Sequence, residues 1–253
     1  MPTNTPEGLF AARLLADPGR PLVTFYDDET GERAELSAKS LGNWVAKTHF
    51  LLLDELGLAP GDRAFVRLPV HWLAAPVLLG CWFAGLEVVT DPAGADVAFA
   101  DAGSLAVLDP PTLASVPDVY SVSLLSMARS AEPPAGASDY AASVRPQPDA
   151  WATVSAQTGP DGAALDGRSR ALLAEDAVRA AQSAGLDRQG RLLWTSRRLD
   201  GSDWVSALLA PIAVGGSTVL VRHPQLERRQ AVITAEHITA TAPDGEHGDG
   251  ITG

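Results

Sequence analysis

The spacing of apolar positions changes repeatedly along this chain, and each change marks an element. Thr5 to Ala16 carries Leu9, Phe10, Leu14 and Leu15 on one helical face, and Asp17-Pro18-Gly19 breaks the run. Pro21 to Tyr26 and Glu32 to Leu36 read as two strands of a hairpin, joined by the turn Asp27-Asp28-Glu29-Thr30-Gly31. Ser37 is placed to cap a helix from Ala38 to about Leu56, where Leu41, Trp44, Val45, Phe50, Leu51 and Leu52 keep mostly helical spacing and Gly57 ends it. The stretch Ala59 to Thr90 organises the rest. Pro60-Gly61-Asp62 is a turn, Arg63 to Leu68 a short strand closed by Pro69, and an apolar helix runs to Phe83 before Ala84-Gly85 stops it. Leu86 to Val89 then has the length of a strand, and strand–helix–strand is the unit of a parallel sheet.

Beyond it, Asp96 to Phe99, Leu105 to Leu108 and Val119 to Val122 read as short strands. Ala131 to Pro148, rich in Ala, Pro, Ser and Asp, reads as a connector without elements. Ala152 to Ser155 is expected as a strand and Arg170 to Ala184 as a helix, with Leu172, Leu173, Ala177 and Ala181 on one side. Then come a strand from Arg191 to Thr195, a helix from Ser202 to Ile212, and a strand from Ser217 to Val221 after the Gly215-Gly216 turn. A helix from His223 to about Ile238 and a short strand Thr239 to Thr241 complete the pattern. The alternation predicts an α/β fold with a largely parallel sheet flanked by helices, Ala38–Leu56 and Arg170–Ala184 packing on its faces. Residues 1–242 form one unit, or two lobes at 1–145 and 146–242, and 243–253 read as a disordered tail.

Composition narrows the partners. The chain of 253 residues has a net charge of −12, which argues against nucleic acid or an anionic membrane as partner, since both reward Lys and Arg. Trp72 to Leu86 carries no charge but is shorter than the roughly 20 apolar residues of a membrane span, and Pro76 and Gly80 interrupt it. Cys81 is the only cysteine, which excludes an internal disulfide. With no signal-peptide pattern in MPTNTPEGLF, a reducing cytoplasm fits. The acidic turn after Tyr26 lacks the spaced oxygen ligands of a calcium loop, and no metal is expected there.

The run Leu58-Ala59-Pro60-Gly61-Asp62-Arg63, a strand ending in Pro69, an apolar helix closed by Ala84-Gly85 and the Val88-Val89 strand together resemble the opening region of the adenylate-forming superfamily, which contains acyl-CoA synthetases, luciferases and peptide-synthetase adenylation domains. The resemblance covers about Pro21 to Ala242, and only about the first half of a complete synthetase. It implies that a Ser/Thr/Gly-rich loop, roughly Thr-Ser-Gly-Thr-Thr-Gly-x-Pro-Lys-Gly, should cradle the phosphates of ATP with its N–H groups, hydroxyls and lysine. The matching place is Val154 to Ala163. Ser155, Thr158 and Gly159 agree with the pattern, Ala156 replaces a glycine, Gln157 a threonine and Gly162 the lysine, and Asp161 adds a negative charge. A unit charge at 4 Å counts for about 4 kcal/mol at a surface-like dielectric before solvation offsets it. Ser155, Gln157, Thr158 and Gly159 are thus candidate ATP or AMP contacts of a degenerate loop, which Arg168 or Arg170 could compensate by swinging toward it.

Other expected parts are missing from these residues. Lys39 and Lys47 are the only lysines, both in the first long helix, so neither the loop lysine nor the later catalytic lysine implied by the resemblance is found. The Tyr-Gly-x-Thr-Glu and Thr-Gly-Asp segments are also absent. Arg197 and Arg198 stand where the family commonly places an aromatic or His beside the acyl pocket. They read as a solvated turn or, alternatively, a carboxylate contact. His49, His71, His223, His237 and His247 lack zinc-ligand spacing with cysteines, no Gly-x-Ser-x-Gly elbow occurs, and the tail's Gly-x-Gly-x-x-Gly has no helix after it. The expectation is a protein that does not adenylate acids alone, with no catalytic residue assigned, and that binds a nucleotide, an acyl ligand or a partner protein. The alternative is one half of a split AMP-forming acid ligase. Self-association is expected through Gln225 to Thr241, the seam a complete enzyme would cover.

Overall fold

In the computed structural model, which describes residues 4–195, 201 and 203–242, the strands divide between two sheets rather than forming one. In chain order the elements are α1 (Pro6–Ala16), β1 (Pro21–Asp27), β2 (Glu32–Ser37), α2 (Ala38–Phe50, prolonged by a π-type turn Leu51–Glu55), β3 (Arg63–Arg67), α3 (Ala74–Phe83) and β4 (Glu87–Val89). There follow β5 (Val97–Ala100), α4 (Ala102–Ala106), α5 (Pro110–Ala114), β6 (Asp118–Ser121), β7 (Ser138–Asp139) and α6 (Tyr140–Val144). Next are β8 (Ala163–Leu165), β9 (Arg168–Ser169), α7 (Arg170–Ser183) and β10 (Arg191–Trp194). Last come α8 (Ala210–Ala213), β11 (Ser217–Arg222), α9 (Leu226–Ala235) and β12 (Ala240–Thr241).

One sheet has the order β12-β10-β11-β1-β2, the other β7-β6-β5-β3-β4-β8-β9. Both are parallel except at the hairpins β1–β2 and β8–β9. Each sheet draws strands from both sides of residue 145.

Side-chain alternation builds five layers. On the first sheet Val23, Phe25, Leu192, Trp194 and Leu220 face a central core, and on the second Ala64, Val97, Phe99 and Tyr120 face the same core. Between them lie α1, α2, α3, α7 and α8, and every residue of α3 is buried, as an all-apolar helix requires. The intervening positions turn outward. Leu193, Val219 and Val221 meet Val232 of α9, while Phe65, Ala98, Ala100 and Val119 meet Leu105 of α4 and Val116. Where α2 crosses α3, a Cβ on Gly80 would overlap the Thr48 side chain, so the glycine permits the close approach. The Thr48 hydroxyl is shared with Tyr140 at 2.7 Å, which ties α6 to the same crossing.

Four element expectations are corrected. Leu105 to Leu108 is not a strand: Asp101 caps the short helix α4, which Leu105 anchors in the outer core. The 131–148 connector contains β7 and α6, with Asp139 as the cap, Ser138 and Asp139 pairing with β6, and Tyr140 fully buried. Ala152 to Ser155 forms a 3₁₀ turn, Trp151–Thr153, and then loop, because the Trp151 ring packs edge-on against Phe10 and Phe83 and not along a sheet. The last helix begins at Leu226, three residues later than expected, since His223 takes φ 51°. Ser196 to Asp200, Ser202 and the 243–253 tail lie outside the described residues. Among the described residues no helix is long and apolar enough to cross a membrane.

Candidate functional site

The loop after Val154 is exposed at Ser155, Gln157 and Gly159 and half-buried at Thr158. It leans on the end of α3 and the starts of β3 and β4. The Gln157 N–H donates to Phe83 O at 3.3 Å, and Gln157 Nε2 folds back to donate to Ser155 O at 3.0 Å and Ser155 Oγ at 3.1 Å. Thr158 sits over Gly85, whose φ of +84° suits glycine and where a Cβ would come 2.8 Å from Thr158 Oγ1 and 2.9 Å from Pro60 Cβ. The Ala84-Gly85 helix stop therefore also seats the loop. All four candidates, Ser155, Gln157, Thr158 and Gly159, share this loop, and two of them spend their polar groups on each other.

The returning limb uses its carbonyls, not its amides, toward the neighbouring helix. Arg170 N–H donates to Gly162 O and Ala171 N–H to Pro160 O, both at 2.9 Å, while Leu172 N–H donates to Ser169 Oγ at 3.3 Å. The N–H groups that a helix start offers to an anion are thus occupied by the chain itself. Gly162 occupies the lysine's position in the resemblance, and a Cβ there would overlap the Thr158 methyl carbon. A lysine does not fit beside Thr158 as it stands.

The two arginines that could have compensated the loop have their side chains bound elsewhere. Arg168 pairs with Asp176 of α7. Arg170 is fully buried: Nη1 donates to Glu7 Oε2 at 3.1 Å and Trp82 O at 2.9 Å, and Nη2 to Leu86 O at 3.0 Å. It caps the carbonyl end of α3 and binds α1 to α7. Burial pushes the Glu7 carboxyl up, against the pull of Arg170. Sequence reasoning missed Glu7 because a lone acidic residue in a first helical turn reads as a dipole partner.

Three further titratable groups were placed by tertiary contacts. His71 lies between Phe25 and Trp72, its Nδ1 accepts from Leu73 N–H at 3.2 Å, and burial pushes its pKa down to about 3, so it stays neutral. Burial pushes the Cys81 thiol up to about 12, which makes it a packing residue. His223 Nδ1 lies 2.9 Å from Asp27 Oδ1 and 3.1 Å from Glu29 Oε2 at the carboxyl ends of β11 and β1. No group of three or more His, Cys, Asp or Glu residues among the described ones is arranged to hold a metal ion.

The two-sheet fold is shared with the N-terminal portion of adenylate-forming enzymes. An acyl-CoA synthetase of Brucella canis superposes with a TM-score of 0.73 at 16% identity, over 94% of this chain and 46% of its own. The acetoacetyl-CoA synthetase of Streptomyces lividans gives 0.74 at 18%, over 94% and 42%. The N-terminal domain of FACL13 from Mycobacterium tuberculosis gives 0.64 at 14%, over 92% and 61%. This chain spans just under half the length of the two synthetases, and the likeness at these identities is one of fold. In sequence, a protein of Mycobacterium tuberculosis described as a TIGR03089 family protein is 38% identical over 242 residues, 94% of this chain and 98% of that protein. No protein-family model matches the chain.

Proposed function

The chain belongs to the TIGR03089 family, and on that premise we propose that it is a non-catalytic binding protein built on the adenylate-forming scaffold, unable to form acyl adenylates by itself. The observation that carries this reading is position 162. Acyl adenylation needs the ATP phosphates neutralised and positive charge where the transition state gathers negative charge. Here the lysine's place is a glycine whose side-chain space Thr158 fills, Asp161 is exposed beside it, and Arg168 and Arg170 are bound to Asp176 and Glu7. The loop carbonyls that take the α7 amides support the same reading, since those amides would otherwise face an anion.

Pyrophosphate release with a panel of carboxylic acids, with and without Mg²⁺, tests it on the full chain. The expected rate is background, because losing one stabilising donor from such a site costs about 100–1,000-fold and several are missing. Calorimetric titration with ATP and AMP is expected to give no saturable heat at the loop. Turnover above about one per minute, abolished by Thr158→Ala, would overturn the proposal.

A further inference from the structure

At the far end of α1 from Glu7 lies a cleft of about 490 Å³, between the C-terminal turns of α1, the 187–190 turn and the Gly215 turn before β11. It opens at the amino ends of β1, β10 and β11, opposite the carboxyl ends where open α/β sheets usually take ligands. Arg13, Arg20 and Arg188 line it against one carboxylate, Asp17, in a chain whose net charge is −12. Leu9, Ile212 and neighbouring alanines supply an apolar wall.

Arg13 is the unusual member. Its residue is 4% exposed, and among the described residues only Nη1 has a partner, donating to Asp17 O at 2.6 Å. Nε and Nη2 are buried with no hydrogen-bond partner among those residues. These two N–H groups form one edge of the guanidinium, the edge that receives two oxygens of a carboxylate or phosphate side by side. A buried cation with unpaired donors is costly unless something pairs it. Arg20 is held at the rim by donating from Nη2 to Gln189 O at 3.1 Å, and the stem of Arg188 lies over Gly215, whose Cβ position is 3.4 Å from Arg188 Cγ.

We propose that this cleft binds an organic oxyanion, a carboxylate or a phosphate on a small apolar group, with the buried edge of Arg13 turning out to meet the anionic oxygens and the apolar part against Leu9 and Ile212. The cleft volume falls within the range of small-molecule sites. The site is separate from the 155–162 loop and stands whether or not that loop binds ATP.

The test is calorimetric titration of the full chain at low salt with inorganic phosphate, hexanoate and phenyl phosphate. Saturable binding of hexanoate or phenyl phosphate, tighter than that of inorganic phosphate, is the expected result, and the tighter of the two names the headgroup. Arg13→Gln should weaken it about tenfold or more, and Arg188→Ala, at an exposed position that leaves the fold intact, about threefold. Should Arg13→Gln not fold, Arg20→Ala joins Arg188→Ala as the deciding pair. The proposal is overturned if no probe binds saturably up to about 10 mM. It is equally overturned if the arginine variants leave affinity unchanged, or if Thr158→Ala abolishes binding while the arginine variants do not.

Discussion

The two ends of α1 bury an arginine in opposite ways. At its start, Glu7 receives Arg170, whose two Nη groups also donate to Trp82 O and Leu86 O while Nε is buried with no hydrogen-bond partner among the described residues, so the charge is paired and three helices are joined. Near its end, Arg13 is almost as buried but uses one nitrogen on Asp17 O and leaves an edge unpaired beside a cleft. Six residues of helix, about 9 Å of rise, separate the two anchoring positions. Burial alone therefore says little about what an arginine does. What separates the two is the partner: Arg170 has a carboxylate against its guanidinium, whereas the partner of Arg13 among the described residues is a backbone carbonyl.

The largest effect should come from breaking the paired end. Arg170→Met leaves Glu7 buried without its partner and frees the α3 carbonyls, and is expected to cost about 3–5 kcal/mol in urea unfolding. Glu7→Gln should cost less, and a double-variant cycle should show strong coupling. A loss for Arg170→Met no larger than that of an exposed substitution would erase the contrast.

A third buried group stays neutral instead of pairing. The folded pKa of His71, about 3, lies below the unfolded value, so the unfolded chain takes the proton first. Stability is therefore complete above about pH 6.5 and falls as pH drops toward 3, by about 2 kcal/mol at pH 5. Urea unfolding across that range should show this slope in the native chain and a shallower one in His71→Gln. His49, lowered by burial in the same direction, keeps a remainder.

The loop gives an intermediate effect. Gly162→Lys, which restores the expected residue, should cost about 1–2 kcal/mol by crowding Thr158 and bring no ATP binding. Adding Thr158→Ala should recover most of that stability. The smallest effect is expected at the unpaired end: Arg13→Gln loses one hydrogen bond and an unpaired buried charge together, and thermal unfolding should shift by less than about 1 kcal/mol in either direction. A large loss there would mean that Arg13, like Arg170, holds the fold.

Local pattern was enough for most elements. The cap at Ser37, the stops at Gly57 and Gly85 and the strand–helix–strand around Pro60 are matters of neighbouring residues, and they fall where the spacing places them. The resemblance that singles out Ser155, Gln157, Thr158 and Gly159 as candidates can be read because it lies in contiguous residues.

What the sequence could not decide were choices among distant partners. Leu105 reads as strand by composition, yet burial against Phe65 and Val119 on a sheet face turned it into a helix. Nothing local divides the twelve strands among the described residues into two sheets, since the division depends on Val23 meeting Thr218 across 195 positions and Ala64 meeting Val97 across 33. Arg170 read as a spare cation until Glu7, 163 positions away, was found against it. The cleft is assembled from residues near 13, 20, 188 and 215, none remarkable in its own neighbourhood. Hydrophobic period and backbone capping act over a few residues and are written in the chain. Pairing of charges and the shape of a cleft depend on which surfaces meet, and only the packed molecule determines that.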